Sequence, residues 1–215
     1  MKLLSIFLVL LFIGVTISVG DVPLLHWQAY QHMTTDKTSS FIVDGNFLVD
    51  AIVSVNETFE NLGLGQYKVI GCGLFYDTDV SQMRFFCEVV YEGTVNATQY
   101  SVFVFRCEKA LVLERKTDRK PYWRNADAPS FQNCVDIRTC PLRHGVKLFE
   151  KVVCERNEKP SLIAIYAVRK ENTICWCFYG GIEWNKDAKD MTLGGDYNVF
   201  LDKQMKRVIL FWGGK

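Results

Sequence analysis

Apolar and polar positions alternate with a period of two along much of this chain, most cleanly from Met83 to Glu92. Met83, Phe85, Cys87, Val89 and Tyr91 share one side, while Arg84, Glu88 and Glu92 share the other with Phe86 and Val90. Successive side chains of an extended strand point to opposite faces, so this spacing predicts a half-buried β-strand. Stretches rich in β-branched and aromatic residues at 41–55, 66–76, 99–107, 110–115, 146–154, 161–169 and 173–180 read the same way, because such side chains fit a pleated surface. Turn chemistry such as Asp44-Gly45-Asn46 separates some of them. The expectation is an all-β fold, an antiparallel sandwich or barrel of about eight to ten short strands.

Two segments depart from this pattern. Residues 24–33 fit a short helix, and Phe200, Leu201, Met205, Val208, Ile209 and Trp212 recur at near-helical spacing. That spacing predicts a helix over 198–207 before a final strand.

The first residues change the picture. Lys2 precedes an apolar run from Leu3 to Ile17, and Ser18 and Gly20 supply the small residues of a cleavage site before Asp21. Residues 1–20 therefore read as a removable secretory signal, and residues 21–215 as one mature domain with no repeat or linker. No later segment is long and apolar enough to span a membrane. Two acceptor sequons, Asn56-Glu57-Thr58 and Asn96-Ala97-Thr98, fall between apolar runs, where a bulky glycan would sit on the surface.

Secretion decides how the eight cysteines are read. Cys72, Cys87, Cys107, Cys134, Cys140, Cys154, Cys175 and Cys177 all follow the signal, and an even set in an oxidising compartment reads as a disulfide framework. If 66–76 turns into 83–92 with Tyr76 opposite Met83, Cys72 faces Cys87, close enough to bridge. Cys134 and Cys140 flank a short loop they can close. Cys175 and Cys177 point to one strand face and need two different partners, for which Cys107 and Cys154 remain. A zinc site built from Cys134, Cys140, Cys175 and Cys177 lacks the two-residue spacing of zinc knuckles.

Charge excludes further classes. The chain carries 25 basic and 24 acidic residues, and loss of Lys2 with the signal leaves the mature domain formally neutral. Such a balance gives no pull toward nucleic acid. Among the three histidines, His26, His32 and His144, none stands in a metalloprotease motif, and no nucleophile elbow or phosphate loop occurs. His144, between Arg143 and Gly145, fits a surface turn. No cofactor is expected.

Three patterns remain as candidate sites. Arg115, Lys116, Arg119, Lys120, Tyr122, Trp123 and Arg124 crowd cations and aromatics into one stretch, suited to an acidic protein or a sulfated glycan. Trp176, Phe178, Trp184, Phe211 and Trp212 add aromatic bulk that fits a filled core, or the lining of a cavity in a closed barrel. Asp77 and Asp79 end an apolar strand in an Asp-x-Asp. Over these few residues the chain resembles nucleotide-sugar glycosyltransferases, which implies a divalent-metal site. The same residues also make a hairpin turn. In size, secretion and strand number the chain resembles a lipocalin barrel, which implies a small-molecule carrier, although Leu25-His26-Trp27 lacks the glycine of that family's Gly-x-Trp signature. The leading expectation is a secreted, N-glycosylated, non-catalytic protein that binds another extracellular protein or a glycan through loops such as 114–130. A barrel carrier and a glycan-active enzyme are the alternatives.

Overall fold

A computed structural model describes residues 45–77, 82–91, 101–107, 111–117, 133–156, 162–170, 173–180 and 197–213. The chain runs α1 (Gly45–Asn61), β1 (Tyr67–Asp77), β2 (Gln82–Tyr91), β3 (Ser101–Cys107), β4 (Leu111–Thr117), a 3-10 turn (Ile137–Thr139), α2 (Leu142–Cys154), β5 (Leu162–Lys170), β6 (Thr173–Gly180), β7 (Tyr197–Leu201) and β8 (Val208–Gly213). All eight strands form one antiparallel sheet in the order β4-β3-β2-β1-β5-β6-β7-β8. The expected antiparallel β architecture is present, laid out as an open sheet rather than a closed barrel.

The order contains a repeat that the sequence does not display. One helix followed by a four-stranded meander occurs twice, and the halves meet where β1 pairs antiparallel with β5. Both helices cover the same face. Asp50 of α1 and Arg143 of α2 form an ion pair at 3.1 Å, and Gly45 lies against Val146.

Two stretches expected as strands are helical. In 41–55 the β-branched residues drew attention, but Leu48, Ile52, Val55 and Phe59 recur at intervals of four, three and four residues and are all buried. That spacing is the core stripe of a helix. Gly63 ends α1: its φ of 64° lets the Leu64 N–H donate to the Phe59 carbonyl at 2.8 Å and its own N–H to Glu60 at 3.2 Å. This is a Schellman cap, which glycine adopts without strain. The stretch 146–154 is helical for the same reason. Leu142, Val146, Phe149 and Val153 are the buried stripe of α2, and propensity yields to packing. His144 consequently stands exposed in the first turn of α2 rather than in a loop.

The helix expected at 198–207 is also replaced. Residues 197–201 form β7, and a turn reverses the chain into β8. Asp202 holds that turn by accepting the Lys206 N–H at 2.7 Å on its carboxylate, while Met205 takes a φ of 54° and is fully buried. The helix expected at 24–33 lies outside the described residues.

The core lies between the helices and the sheet. Phe149 stacks on Phe178 at 6.0 Å and approaches Tyr197 at 5.7 Å. Trp176 is buried with its indole N–H donating to the Lys203 carbonyl at 3.1 Å. The 3-10 turn is tied down by Arg138, which binds Asp136, donates to the Tyr67 carbonyl at 2.8 Å and lies over the Phe59 ring. The opposite face is buried as well, by Phe86, Val102, Val104, Ala164, Tyr166, Val168 and Tyr179. Strand β2 is therefore buried on both sides rather than half-buried: Arg84 and Glu88 are inaccessible, although they stand on the expected face.

On the central strand, a Cβ on Gly73 would lie 2.7 Å from Ala164 Cβ, 2.8 Å from the Ile163 carbonyl oxygen and 2.8 Å from Phe86. Backbone cannot yield as a flexible side chain can. Gly73→Ala is expected to destabilise the fold by about 1–3 kcal/mol, as overpacked cores do, measured by urea unfolding. An unchanged midpoint would contradict this packing.

Candidate functional site

The two ends of the sheet differ in chemistry. At one edge, β4 presents Glu114, Arg115 and Lys116 as exposed side chains. Glu114 pairs with the buried Arg84 at 3.0 Å, and Lys116 sits 5.7 Å from the Tyr67 ring centre. At the other edge, β8 reads Val-Ile-Leu-Phe-Trp-Gly and carries no charge. Here Ile209 is 46%, Leu210 39% and Trp212 60% exposed. Trp212, expected in a core or a cavity, stands exposed on the outermost strand, and no described strand lies beyond it.

Register explains what this edge continues. Leu210 lies opposite Phe200, which lies opposite Cys177, and Trp212 lies opposite Asn198, which lies opposite Tyr179. The exposed pair thus extends rows of the buried face opposite the helices out to solvent. A register shift at Phe200/Leu201 opposes Val208 and leaves Ile209 out of the pairing. Phe211 turns the other way, stacks on Tyr197 at 6.4 Å and is covered by the Arg156 guanidinium at 3.7 Å.

A cleft of about 550 Å³ opens beside β8, lined by Lys170, Thr173, Cys175, Arg207, Val208 and Ile209. Lys170 lies 5.7 Å from the Phe200 ring centre. Arg207 is exposed and lies 3.6 Å from Asp202. With Lys203 and Lys206, also exposed, these residues give the β8 end an excess of positive charge around an apolar strip.

Of the residues expected to act from the 114–130 loop, Arg115 and Lys116 stand on β4. Arg119, Lys120, Tyr122, Trp123 and Arg124 lie outside the described residues, as do Asp79, Asn96, Trp184, His26 and His32. Asp77 closes β1 opposite Gln82, a hairpin position. Among the described residues no group of three or more His, Cys, Asp or Glu side chains could hold a metal ion. Asn56 is exposed on the surface of α1, and its amide donates to Glu60 at 3.2 Å.

The cysteines are distributed by face. Cys72 lies opposite Cys87 in the register the hairpin argument requires, with Tyr76 opposite Met83. Both are buried thiols on the helix side. Cys134 and Cys140 flank the 3-10 turn on that same side. Cys175 and Cys177 share one strand face, as expected, but it is the opposite one. The Cys177 thiol donates to Asn198 Oδ1 at 3.1 Å. A zinc site joining the two pairs would have to pass through the sheet. Cys154 ends α2, and Cys107 ends β3, four strands away from β6 with β2, β1 and β5 between.

Lys170, Arg207 and Leu210 belong to none of the candidate sites legible in the sequence, and Trp212 belongs there only to an aromatic core or cavity. The signal is present: seven uncharged residues, Val208 to Gly214, directly after Lys206-Arg207. What the sequence lacks is the strand order that makes β8 an edge.

No protein-family model matches the chain, and no curated protein matches it. Among solved structures, the chain is similar to one described as a "putative lipoprotein" from Clostridium difficile 630. Identity is 10%, the match covers 82% of this chain and 99% of that one, and the TM-score is 0.37. The site's chemistry therefore rests on its own residues. No helix among the described residues is long and apolar enough to cross a membrane.

Burial sets the cysteine chemistry. It pushes the Cys140 thiol up to about 11, helped by the Asp136 carboxylate. Burial likewise raises Cys72, with Glu88 adding to it, and raises Cys87, with Cys72 adding to it. Cys175 is raised by burial against the opposing charge of Lys170. Thiols raised in this way are poor nucleophiles. Because the folded pKa values exceed the unfolded ones, their contribution to stability is full below about pH 9. It falls as pH rises beyond that, since only the unfolded chain can then lose the protons. The reduced protein is expected to lose unfolding free energy above pH 9 more steeply than a Cys72→Ala/Cys87→Ala variant, measured by urea titration across pH. Equal slopes would contradict the burial of this pair.

Proposed function

We propose that this chain is a secreted binding protein without a catalytic centre, which engages another extracellular protein through the β8 end of its sheet. One observation carries the reading: an uncharged edge strand with Leu210 and Trp212 exposed, bordered by Lys170, Lys203, Lys206 and Arg207. Apolar side chains, tryptophan above all, supply most of the energy of protein interfaces, and surrounding charge steers the encounter. The signal-like residues 1–20 and the two sequons support an extracellular setting, and the raised thiols support a non-catalytic one.

The cleft beside β8 favours this reading over a carrier. Its volume suits a small ligand, but it is open and lined by cations and aliphatics rather than aromatics. It serves best as a pocket for one side chain of a partner.

The pairing of Cys72 opposite Cys87 supports a bridge between them in an oxidising compartment, which would remove two buried thiols at the centre of the sheet. Peptide mapping of the secreted protein is expected to recover Cys72 joined to Cys87. Recovery of either residue with another partner would refute the bridge.

Native mass spectrometry of protein purified from its natural secretion is expected to show added mass of a protein partner. Trp212→Glu should weaken that complex by about 2 kcal/mol, or roughly 30-fold in affinity, as removal of an interface anchor does. Added mass of a small molecule alone, or a partner indifferent to Trp212, would overturn the proposal.

A further inference from the structure

The fold contains its own control for what β8 does. The helix-plus-meander unit occurs twice, so β4 and β8 hold equivalent places, each the last strand of its half and each an edge of the sheet. An edge strand offers a row of backbone donors and acceptors to any extended chain. Proteins blunt such edges with charges, bulges or cover. Strand β4 is blunted: Glu114, Arg115 and Lys116 fill three of its four exposed positions, with Val112 the fourth. Strand β8 has a register irregularity only at its start, and Leu210 to Gly213 continue in regular pairing with β7 and without charge.

Resting on the binding role above, we propose that β8 is a docking edge for an extended acidic segment of the partner protein, which adds to the sheet as a ninth strand. Charge chooses the occupant. The described ionic side chains around β8 and its cleft are Arg156, Lys170, Lys203, Lys206 and Arg207, with Asp202 the acidic residue beside Arg207. A second copy of this chain would bring the same positive surface against itself, which costs association. An extended segment alternating acidic and apolar residues fits both features. Its two sets of side chains point to opposite faces: the apolar set lies over Leu210 and Trp212, and the carboxylates meet Arg156, which covers Phe211 on the other face. Main-chain pairing supplies affinity, and alternate side chains supply specificity.

Strand addition has a signature that a general charged contact lacks. Alternate amides of the added strand point toward β8 and away from it, so methylating one set of peptide nitrogens must abolish pairing while methylating the other must not. The probe is a fluorescein-labelled octapeptide alternating Glu and Val, titrated with the full mature chain in fluorescence anisotropy. Binding is expected for this peptide and not for its Lys-Val counterpart. Of the two alternately N-methylated forms, one should bind about tenfold or more weaker than the other, since several hydrogen bonds are lost together. Trp212→Lys should abolish binding, whereas Val112→Lys, an exposed position on β4, should leave it unchanged.

Equal effects of the two methylated forms, or equal binding of the Lys-Val peptide, would overturn strand addition. If the natural partner still depended on Trp212, the binding role would survive that failure. A concentration-dependent dimer in sedimentation, dispersed by Leu210→Lys, would also overturn the proposal by making a second copy the occupant.

Discussion

Three residue pairs hold the two halves of this protein in one sheet: Gly71 with Tyr166, Cys72 with Ile165 and Gly73 with Ala164. The rest of the fold depends on that joint. A Cβ on Gly71 would stand 2.8 Å from Tyr166 Cβ and 2.6 Å from a Glu88 carboxylate oxygen, and one on Gly73 would strike Ala164 and the backbone beside it. Glycine is needed here for close approach rather than for unusual torsion, since neither residue takes a positive φ. The helices reinforce the joint from one side. Each belongs to a different half, yet they touch through Asp50 and Arg143 and together cover the central strands.

Joining two meanders through their first strands puts their last strands outermost. The doubled topology thus creates two edges and leaves the sequence of each to decide its fate. Charge at β4 and its absence at β8 are independent choices at equivalent places, which is why the contrast is informative. A sheet that closed into a barrel would have hidden both edges. The carrier expectation and the edge-docking function are therefore exclusive outcomes of one topological fact.

How much of this was legible follows from the range over which each signal acts. The pairing of Cys72 with Cys87 could be read because a hairpin is local: one turn and a period of two fix it. The helices were misread because Val49, Ile52, Val53 and Val55 are strand formers by type while their spacing is helical. Phe59 and the Gly63 cap, beyond the stretch first considered, complete the helical pattern. The β1–β5 pairing joins residues more than ninety positions apart and has no local signature. Without it neither edge can be identified. Trp212 then looks like any aromatic that belongs in a core.

Placement of the modifiable groups is consistent with the division of the molecule into a closed side and an open end. Asn56 faces solvent from α1, so a glycan there would extend from the helix layer. Leu210 and Trp212 continue the face on the other side of the sheet. Bulk added at Asn56 would thicken the covered side and leave the β8 edge accessible. Cys72 and Cys87 lie near the joint, two strands from β4 and four from β8 when counted from β2 and β1 respectively. A bridge there would stiffen the centre while leaving both edges to their own side chains. The exposed apolar strip is thereby set apart from the joint where the halves meet, on the outermost strand of the described sheet.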